Sequence, residues 1–218
     1  MDHRGVGCRE VIMAAAAAVL AGGLGACAPT QQQLFDGRTF SGWVKRGGNA
    51  QFTVEDGCIV GTTRPDQPNT FLCTIGNYRD FILELEFKVD PELNSGVQVR
   101  SESRPDYRGG VVHGYQVETA PSSRAWTGGI YDEGRRGWLA PLDGNPAAQA
   151  AFKQGEWNHL RVEARGDRIK TWVNEVPAAD LRDGMTRSGF IALQVHGVGG
   201  RQEPLSVRFR KIMLTRLN

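Results

Sequence analysis

The chain has 218 residues and a formal net charge of +2, with basic residues scattered among acidic ones. The absence of a basic stripe argues against a nucleic-acid partner, and no apolar run beyond the N-terminus has the length that a bilayer span needs. The length suits a single β-sheet core, and the 28 glycines fit many short strands joined by tight turns.

The N-terminal segment has the features of a bacterial export signal in the expected order. Arg4 and Arg9 are basic, residues 11–20 are apolar, and residues 24–27 read Leu-Gly-Ala-Cys. This tetrad resembles a lipobox, in which the cysteine, here Cys27, becomes the lipid-bearing first residue of the mature chain. An ordinary cleaved signal peptide is the alternative, and in both cases the mature protein is exported.

The expected organisation is a lipoprotein signal at 1–27, a short polar tether at 28–33 and a single domain at 34–218. Alanine rather than aspartate after Cys27 resembles the pattern of outer-membrane sorting. We therefore expect a protein anchored to the outer membrane through its lipid alone, on the periplasmic side or the cell surface.

Alternation of apolar and polar residues predicts roughly a dozen short strands. The clearest covers residues 81–89, and Asp56-Gly57 predicts the tight turn of a hairpin over 51–62. One helical turn is expected within 141–153. A change of phase between Phe209 and Ile212 predicts a β-bulge in the last strand. Further strands are expected at 71–75, 96–101, 115–119, 128–131, 157–166, 169–176, 189–197 and 204–217.

This pattern predicts an all-β fold, an antiparallel β-sandwich. Two cysteines, Cys58 and Cys73, remain in the expected domain. They form either a disulfide, which suits an oxidising compartment, or two buried free thiols, because the surrounding alternation does not fix their mutual direction.

One stretch, residues 113–139, is unusually rich in charged and aromatic side chains. Unpaired charges are costly in a core, whereas carboxylates, guanidinium groups and indoles together suit the binding of a polyol. Strands at 96–101, 115–119 and 189–197 also carry polar residues opposite their apolar face. The candidate residues for binding such a ligand are Gln98, Gln116, Trp126, Tyr131, Arg135, Arg136, Trp138 and Gln194.

Several stretches together resemble one family, the 3-keto-disaccharide hydrolases. They are LFDGRTFSGW, DFILELEFKV, NSGVQVRSES, GYQVE, RAWTGGIYDEGRRGWL, GEWNHLRVEARG, TWVNEVPAADL, GFIALQVHG and FRKIMLTRL, in this order over residues 34–217. The resemblance implies a jelly roll of the concanavalin A-like lectin and glucanase type. It also implies an enzyme that cleaves 3-keto-glycosides, with a carbohydrate as its partner.

The implied chemistry assigns a role to each candidate catalytic residue. We expect His196 to be the general base, with Glu118 orienting it or replacing it. Arg100 would stabilise the enediolate, and Asp132 or Glu133 would protonate the leaving group. No cofactor is required by the sequence. Glu118, Asp132 and His196 could ligate a divalent metal ion, although their spacing does not support a metal site.

Two other classes of function compete with this enzyme. A lectin-like binding module would hold glycans through Trp126 and Trp138 without a base, and an envelope structural protein would need no ligand. Two-carboxylate hydrolysis of the glucanase kind is disfavoured, because Glu84 and Glu86 lack the third acidic residue of the glucanase pattern Glu-x-Asp-x-x-Glu.

Overall fold

The strands form two antiparallel β-sheets that share one hydrophobic core, because hydrophobic side chains alternate along each strand. The computed structural model describes Met1 and residues 30–121 and 123–217. The predicted signal, the lipidation at Cys27 and the start of the tether at 28–29 lie outside the described residues. These features therefore stay predictions of the sequence.

The first sheet has eight strands, in the order β13-β12-β11-β6-β15-β4-β3, with β1 added alongside β15. Its strands are β1 (Gln31–Gln33), β3 (Gln51–Glu55), β4 (Cys58–Thr62), β6 (Phe81–Val89), β11 (Asn158–Arg165), β12 (Arg168–Val173), β13 (Val176–Arg182) and β15 (Ser206–Arg216).

The second sheet has seven strands, in the order β10-β9-β8-β7-β14-β5-β2. Its strands are β2 (Trp43–Gly47), β5 (Thr70–Thr74), β7 (Ser95–Glu102), β8 (His113–Thr119), β9 (Ile130–Glu133), β10 (Gly137–Ala140) and β14 (Phe190–Val195). A single short helix, α1 (Pro146–Ala151), lies among the described residues, inside the region where the sequence predicts a helical turn. The predicted all-β jelly-roll sandwich is confirmed.

The core follows directly from the period of two along the strands. In β6, Phe81, Leu83, Leu85 and Phe87 are buried, while the residues between them are partly or fully exposed. Removing each such side chain from water contributes about 1.5–3 kcal/mol. In the opposing sheet, alternate residues of β7, β8 and β14 face the same core. The outer face of the seven-stranded sheet, which points away from the core, is therefore left to the other residues of these strands.

Two local predictions are confirmed. Asp56 and Gly57 have φ values of 49° and 73° and join β3 to β4, as expected for a primed hairpin turn. The register between β15 and β6 shifts between Arg210 and Met213, and Lys211 there has a φ of 51°. This shift is the predicted bulge, and it keeps both halves of the long strand β15 facing the core.

The two cysteines are free and buried, so the disulfide alternative is wrong. Cys58 lies on β4 in the eight-stranded sheet, and Cys73 lies on β5 in the seven-stranded sheet. Burial raises the pKa of the Cys73 thiol to about 12, which makes it unreactive at neutral pH. No helix in the described part of the chain is long and apolar enough to cross a membrane.

Candidate active site

A polar cavity of about 280 Å³ opens on the outer face of the seven-stranded sheet. Its walls bring together residues from strands β8, β9, β10 and from segments next to β5, β7 and β14. These are Asn69, Asn94, Gln116, Glu118, Arg124, Tyr131, Glu133, Trp138 and His196. Six of them are residues that the sequence predicts for the site: Gln116, Glu118, Tyr131, Glu133, Trp138 and His196.

Strand alternation explains why these side chains meet. In β8, Tyr115 and Val117 pack into the core, so Gln116 and Glu118 point to the outer face. The register places Glu118 opposite Gly96 on β7. A Cβ at Gly96 would lie 2.6 Å from the side chain of Gln116, so the glycine makes room for that amide. Only glycine at this position lets Gln116 lie across the sheet.

Glu118 is the most deeply placed carboxylate of the cavity, with 5% of its surface exposed. A chain of hydrogen bonds holds it in place. Gln116 Nε2 donates to Glu118 Oε2 at 2.9 Å, and Asn94 Nδ2 donates to the other oxygen. Behind them, Gln98 Nε2 donates to Gln116 Oε1 at 2.7 Å. Arg124 Nη1 lies 3.9 Å from Glu118 Oε1. This network fixes the orientation of the carboxylate and surrounds it with donors.

His196 follows β14 and lines the cavity. Its Nδ1 lies 2.7 Å from the carbonyl oxygen of Gly197. A carbonyl can only accept, so Nδ1 carries the proton, and in the neutral ring Nε2 holds a free lone pair. The imidazole is thereby oriented as a proton acceptor.

Glu133, at the end of β9, forms the opposite wall. Burial raises the pKa of Glu133, against the opposing effects of a hydrogen bond from Asn69 and the nearby His196. Asn69 Nδ2 donates to Glu133 Oε1 at 3.1 Å. Three strands, β8, β7 and β14, separate β9 from β5. Because neighbouring strands lie about 4.8 Å apart, this bond requires the sheet to curl around the cavity.

Three aromatic side chains form a wall beside the carboxylates. The rings of Tyr131 and Trp138 are 5.3 Å apart, and Trp126 packs edge-to-face on Trp138 at 4.6 Å. Tyr131 and Trp138 line the cavity, whereas Trp126 supports Trp138 from behind. Such a wall offers an apolar platform for the C–H face of a sugar.

The structure places Arg100 outside this cavity, which corrects its assignment to the enediolate. Arg100 is fully buried and has a φ of 48°, at a bulge between Val99 and Glu102. The bulge turns the side chain toward the eight-stranded sheet. The guanidinium donates there to the carbonyl oxygens of Arg79 and Gly166 and to the Asp80 carboxylate. Arg100 thus ties the two sheets together.

The assignment of Asp132 as an acid is also corrected, because its side chain points away from the cavity. Asp132 is fully buried on the same face of β9 as Ile130. Its oxygens accept hydrogen bonds from Arg135 Nε at 2.7 Å and from Arg136 Nε at 2.5 Å. Arg135 stacks over Tyr115, and Arg136 pairs with Asp183. Arg135 and Arg136 therefore stabilise the turn after β9 and are not among the residues that line this cavity.

The remaining predicted residues lie beneath the cavity. Gln98 and Gln194 are both fully buried on the outer face of the sheet, and neither reaches the cavity wall. No group of three metal-ligating side chains occurs within residues 30–121 and 123–217. The suggested set of Glu118, Asp132 and His196 does not fit a metal, because Asp132 faces the opposite side of the sheet.

Three residues of the cavity are absent from the sequence-based set. Asn69 and Asn94 lie in the segments that precede β5 and β7, and Arg124 lies in the loop after β8. Alternation carries no information about loops, so nothing in the strand pattern pointed to them. The available signals were the proximity of the two asparagines to strands with polar outer faces and the position of Arg124 within the charged stretch 113–139.

Comparison with known proteins gives a family and a fold. A Bacteroides thetaiotaomicron protein named 3-keto-disaccharide hydrolase is 36% identical over 72 residues, which cover 29% of this chain and 25% of that protein. The match therefore spans about a quarter of the relative.

Two solved structures share the fold. One is a Parabacteroides distasonis protein proposed to be a glycosyl hydrolase, with 19% identity, coverage of 86% of this chain and 94% of that chain, and a TM-score of 0.61. The other is the carbohydrate-binding module CBM66 from Bacillus subtilis, with 18% identity, coverage of 80% and 95%, and a TM-score of 0.56. The sequence model of one protein family, the 3-keto-alpha-glucoside-1,2-lyase-like domain, matches residues 30–215 of this chain. The chain therefore belongs to this family.

Proposed function

We propose that this protein is an enzyme that cleaves the glycosidic bond of 3-keto-glycosides by elimination and hydration. The observation that carries the proposal is His196: its Nδ1 proton is committed to Gly197, so Nε2 is a proton acceptor in a cavity walled by carboxylates. Membership of the family and the name of the Bacteroides relative support the choice of substrate.

The chemistry needs a base at carbon 2 of the sugar. A ketone at carbon 3 acidifies the hydrogen on carbon 2, and His196 Nε2 takes this proton to give an enediolate. The aglycone then leaves with the electron pair of the bond that joined it to carbon 1. The electron pair that the enediolate gained from the carbon 2–hydrogen bond forms the double bond between carbons 1 and 2, and the ketone at carbon 3 is restored. Addition of water returns a hydroxyl to carbon 1 and a proton to carbon 2.

Glu133 is the candidate acid for the leaving oxygen. Burial raises its pKa, so a larger share of this carboxyl is protonated at a given pH than for an exposed glutamate. The environment of Glu118 differs, because donors from Asn94 and Gln116 surround its oxygens. We therefore assign proton donation to Glu133, and the binding of sugar hydroxyls to the hydrogen-bonded carboxylate of Glu118.

Arg124 takes the role that the sequence-based interpretation assigned to Arg100. It is the arginine that lines the described cavity, and its side chain is half-exposed at the mouth. A guanidinium at this wall can stabilise the negative oxygen that forms at carbon 3. Its pairing with Glu118 at 3.9 Å is loose enough to be exchanged for a substrate oxygen.

A carbohydrate-binding module is the second candidate. The aromatic wall of Tyr131, Trp138 and Trp126 favours it, as does the shared fold with the module CBM66. A binding module would need neither the raised pKa of Glu133 nor the oriented His196, so the catalytic function is preferred.

Release of 4-nitrophenol from 4-nitrophenyl 3-keto-glucoside tests the proposal. We expect release above the rate without enzyme, and none from 4-nitrophenyl glucoside, which lacks the ketone. Equal cleavage of both compounds would indicate ordinary hydrolysis. Binding without release, in folded protein, would favour the binding module.

A further inference from the structure

Gln194 carries a buried side-chain amide without a hydrogen-bond partner. The residue is fully buried on β14, and neither Oε1 nor Nε2 meets a partner among the residues that the structure describes. Buried polar groups in proteins are nearly always paired, because an unpaired amide loses its hydrogen bonds to water without compensation. An amide with both atoms unpaired therefore needs a specific explanation.

Gln98 shows that the outer face of this sheet can provide hydrogen-bond partners for a buried glutamine amide. It lies on the neighbouring strand β7, opposite Ala192, and is equally buried on the same outer face. Its Nε2 donates to Gln116 Oε1, and its Oε1 accepts from Ser101 Oγ. The difference between the two glutamines indicates that the missing partner of Gln194 is supplied from outside the protein.

The surroundings of Gln194 point to the cavity as the source. The register places Gln194 between Gly96 and Phe71, and the Gln116 side chain lies over Gly96. His196 follows two residues later, on the same side of the strand. Gln194 thus lies beneath the floor of the cavity, next to two of the residues that line it.

The bond between Asn69 and Glu133 joins residues from opposite sides of the strands that carry Gln194 and Gln116. Asn69 precedes β5 and Glu133 ends β9, and the strands between them include β14 and β8, which carry Gln194 and Gln116. Asn69 Oδ1 also accepts from the Gly197 backbone at 3.0 Å, which anchors that side of the bridge. Opening the Asn69–Glu133 bond would free Glu133 and uncover the floor.

We propose that Gln194 recognises a hydroxyl group of the sugar, and that the Asn69–Glu133 bond closes over it in the unliganded protein. A side-chain amide places a donor group, –NH₂, beside an acceptor oxygen. A hydroxyl can accept from Nε2 and donate to Oε1, whereas an ether or a ketone oxygen can only accept. The proposal rests on the proposed function and adds the group that determines specificity.

Thermal unfolding of Gln194→Met tests the unpaired amide without any substrate. Methionine keeps the length and removes both polar atoms, so we expect the Tm to rise by about 2–4 °C. Gln98→Met is the matched control, and its Tm should fall because it removes the donor to Gln116 Oε1 and the acceptor of the Ser101 hydroxyl bond. A lower Tm for Gln194→Met would mean that Gln194 is satisfied within the folded protein, and would overturn the proposal.

Turnover of deoxygenated substrates tests the recognition itself. The parent 4-nitrophenyl 3-keto-glucoside is compared with its 4-deoxy and 6-deoxy forms. We expect the wild type to lose about tenfold or more in kcat/KM with one of them. Gln194→Met should lose this preference, turning over the parent and that analogue equally.

Three outcomes are separable. An unchanged preference in Gln194→Met would overturn the proposal, as would a wild type indifferent to both deoxygenated forms. If the wild type releases no aglycone at all, the proposed function fails, and the Tm comparison then decides whether the unpaired amide is real.

Discussion

Replacing His196 with alanine is expected to lower kcat by about 10²–10⁴-fold, the range for the loss of a general base. The fold should persist, because the His196 side chain is half-buried and its ring bonds only to the adjacent Gly197 among the described residues. Release of 4-nitrophenol from the 3-keto-glucoside gives kcat and KM, and circular dichroism reports the fold. KM should change little, since the carboxylates and the aromatic wall remain.

His159→Ala is the matched control for this experiment. His159 lies on β11 in the eight-stranded sheet, half-exposed, with Nδ1 paired to Glu175 at 2.7 Å. Removing it should leave turnover unchanged. Full turnover in His196→Ala would show that another group takes the proton, and Glu118 would then be the next base to replace.

The second large effect is expected on stability. Arg100→Met removes a fully buried guanidinium whose three bonded groups are the carbonyl oxygens of Arg79 and Gly166 and the carboxylate of Asp80. The loss of one partner from such a buried network costs about 3–5 kcal/mol. We therefore expect a fall in the urea midpoint with an unchanged slope. Turnover per folded molecule should stay near the wild-type value, because Arg100 lies outside the cavity.

Arg168→Met is the control, since Arg168 pairs with Asp180 at the surface of the same sandwich. Exposed pairs contribute little, so the urea midpoint of this variant should move only slightly. If Arg100→Met keeps its stability and loses turnover instead, Arg100 belongs to the catalytic machinery as the sequence suggested.

The strand pattern predicted much of the cavity because alternation fixes the face of a side chain. Once Tyr115 and Val117 are assigned to the core, Gln116 and Glu118 must face outward. The same argument places His196, one residue beyond the core residue Val195. These residues converge because their strands lie in one sheet, which alternation alone does not predict.

The errors come from features that alternation cannot express. At Arg100 a bulge interrupts the alternation of buried and outward-facing residues, and no nearby residue type predicts it. At β9 the sequence interpretation assigned two consecutive residues, Tyr131 and Asp132, to the same site, although neighbours in a strand point to opposite faces. Asp132 therefore binds the two arginines of the turn after β9, and Glu133 is the remaining candidate for the acid.

The exchange of hydrogen at carbon 2 tests the central claim most directly. Turnover of 4-nitrophenyl 3-keto-glucoside in D₂O is followed by NMR, with an enzyme-free sample to measure spontaneous exchange. Proton removal and return at carbon 2 predict one deuterium at that carbon in each product molecule, formed at the rate of aglycone release. Product that retains hydrogen at carbon 2 would contradict elimination and indicate direct displacement at carbon 1.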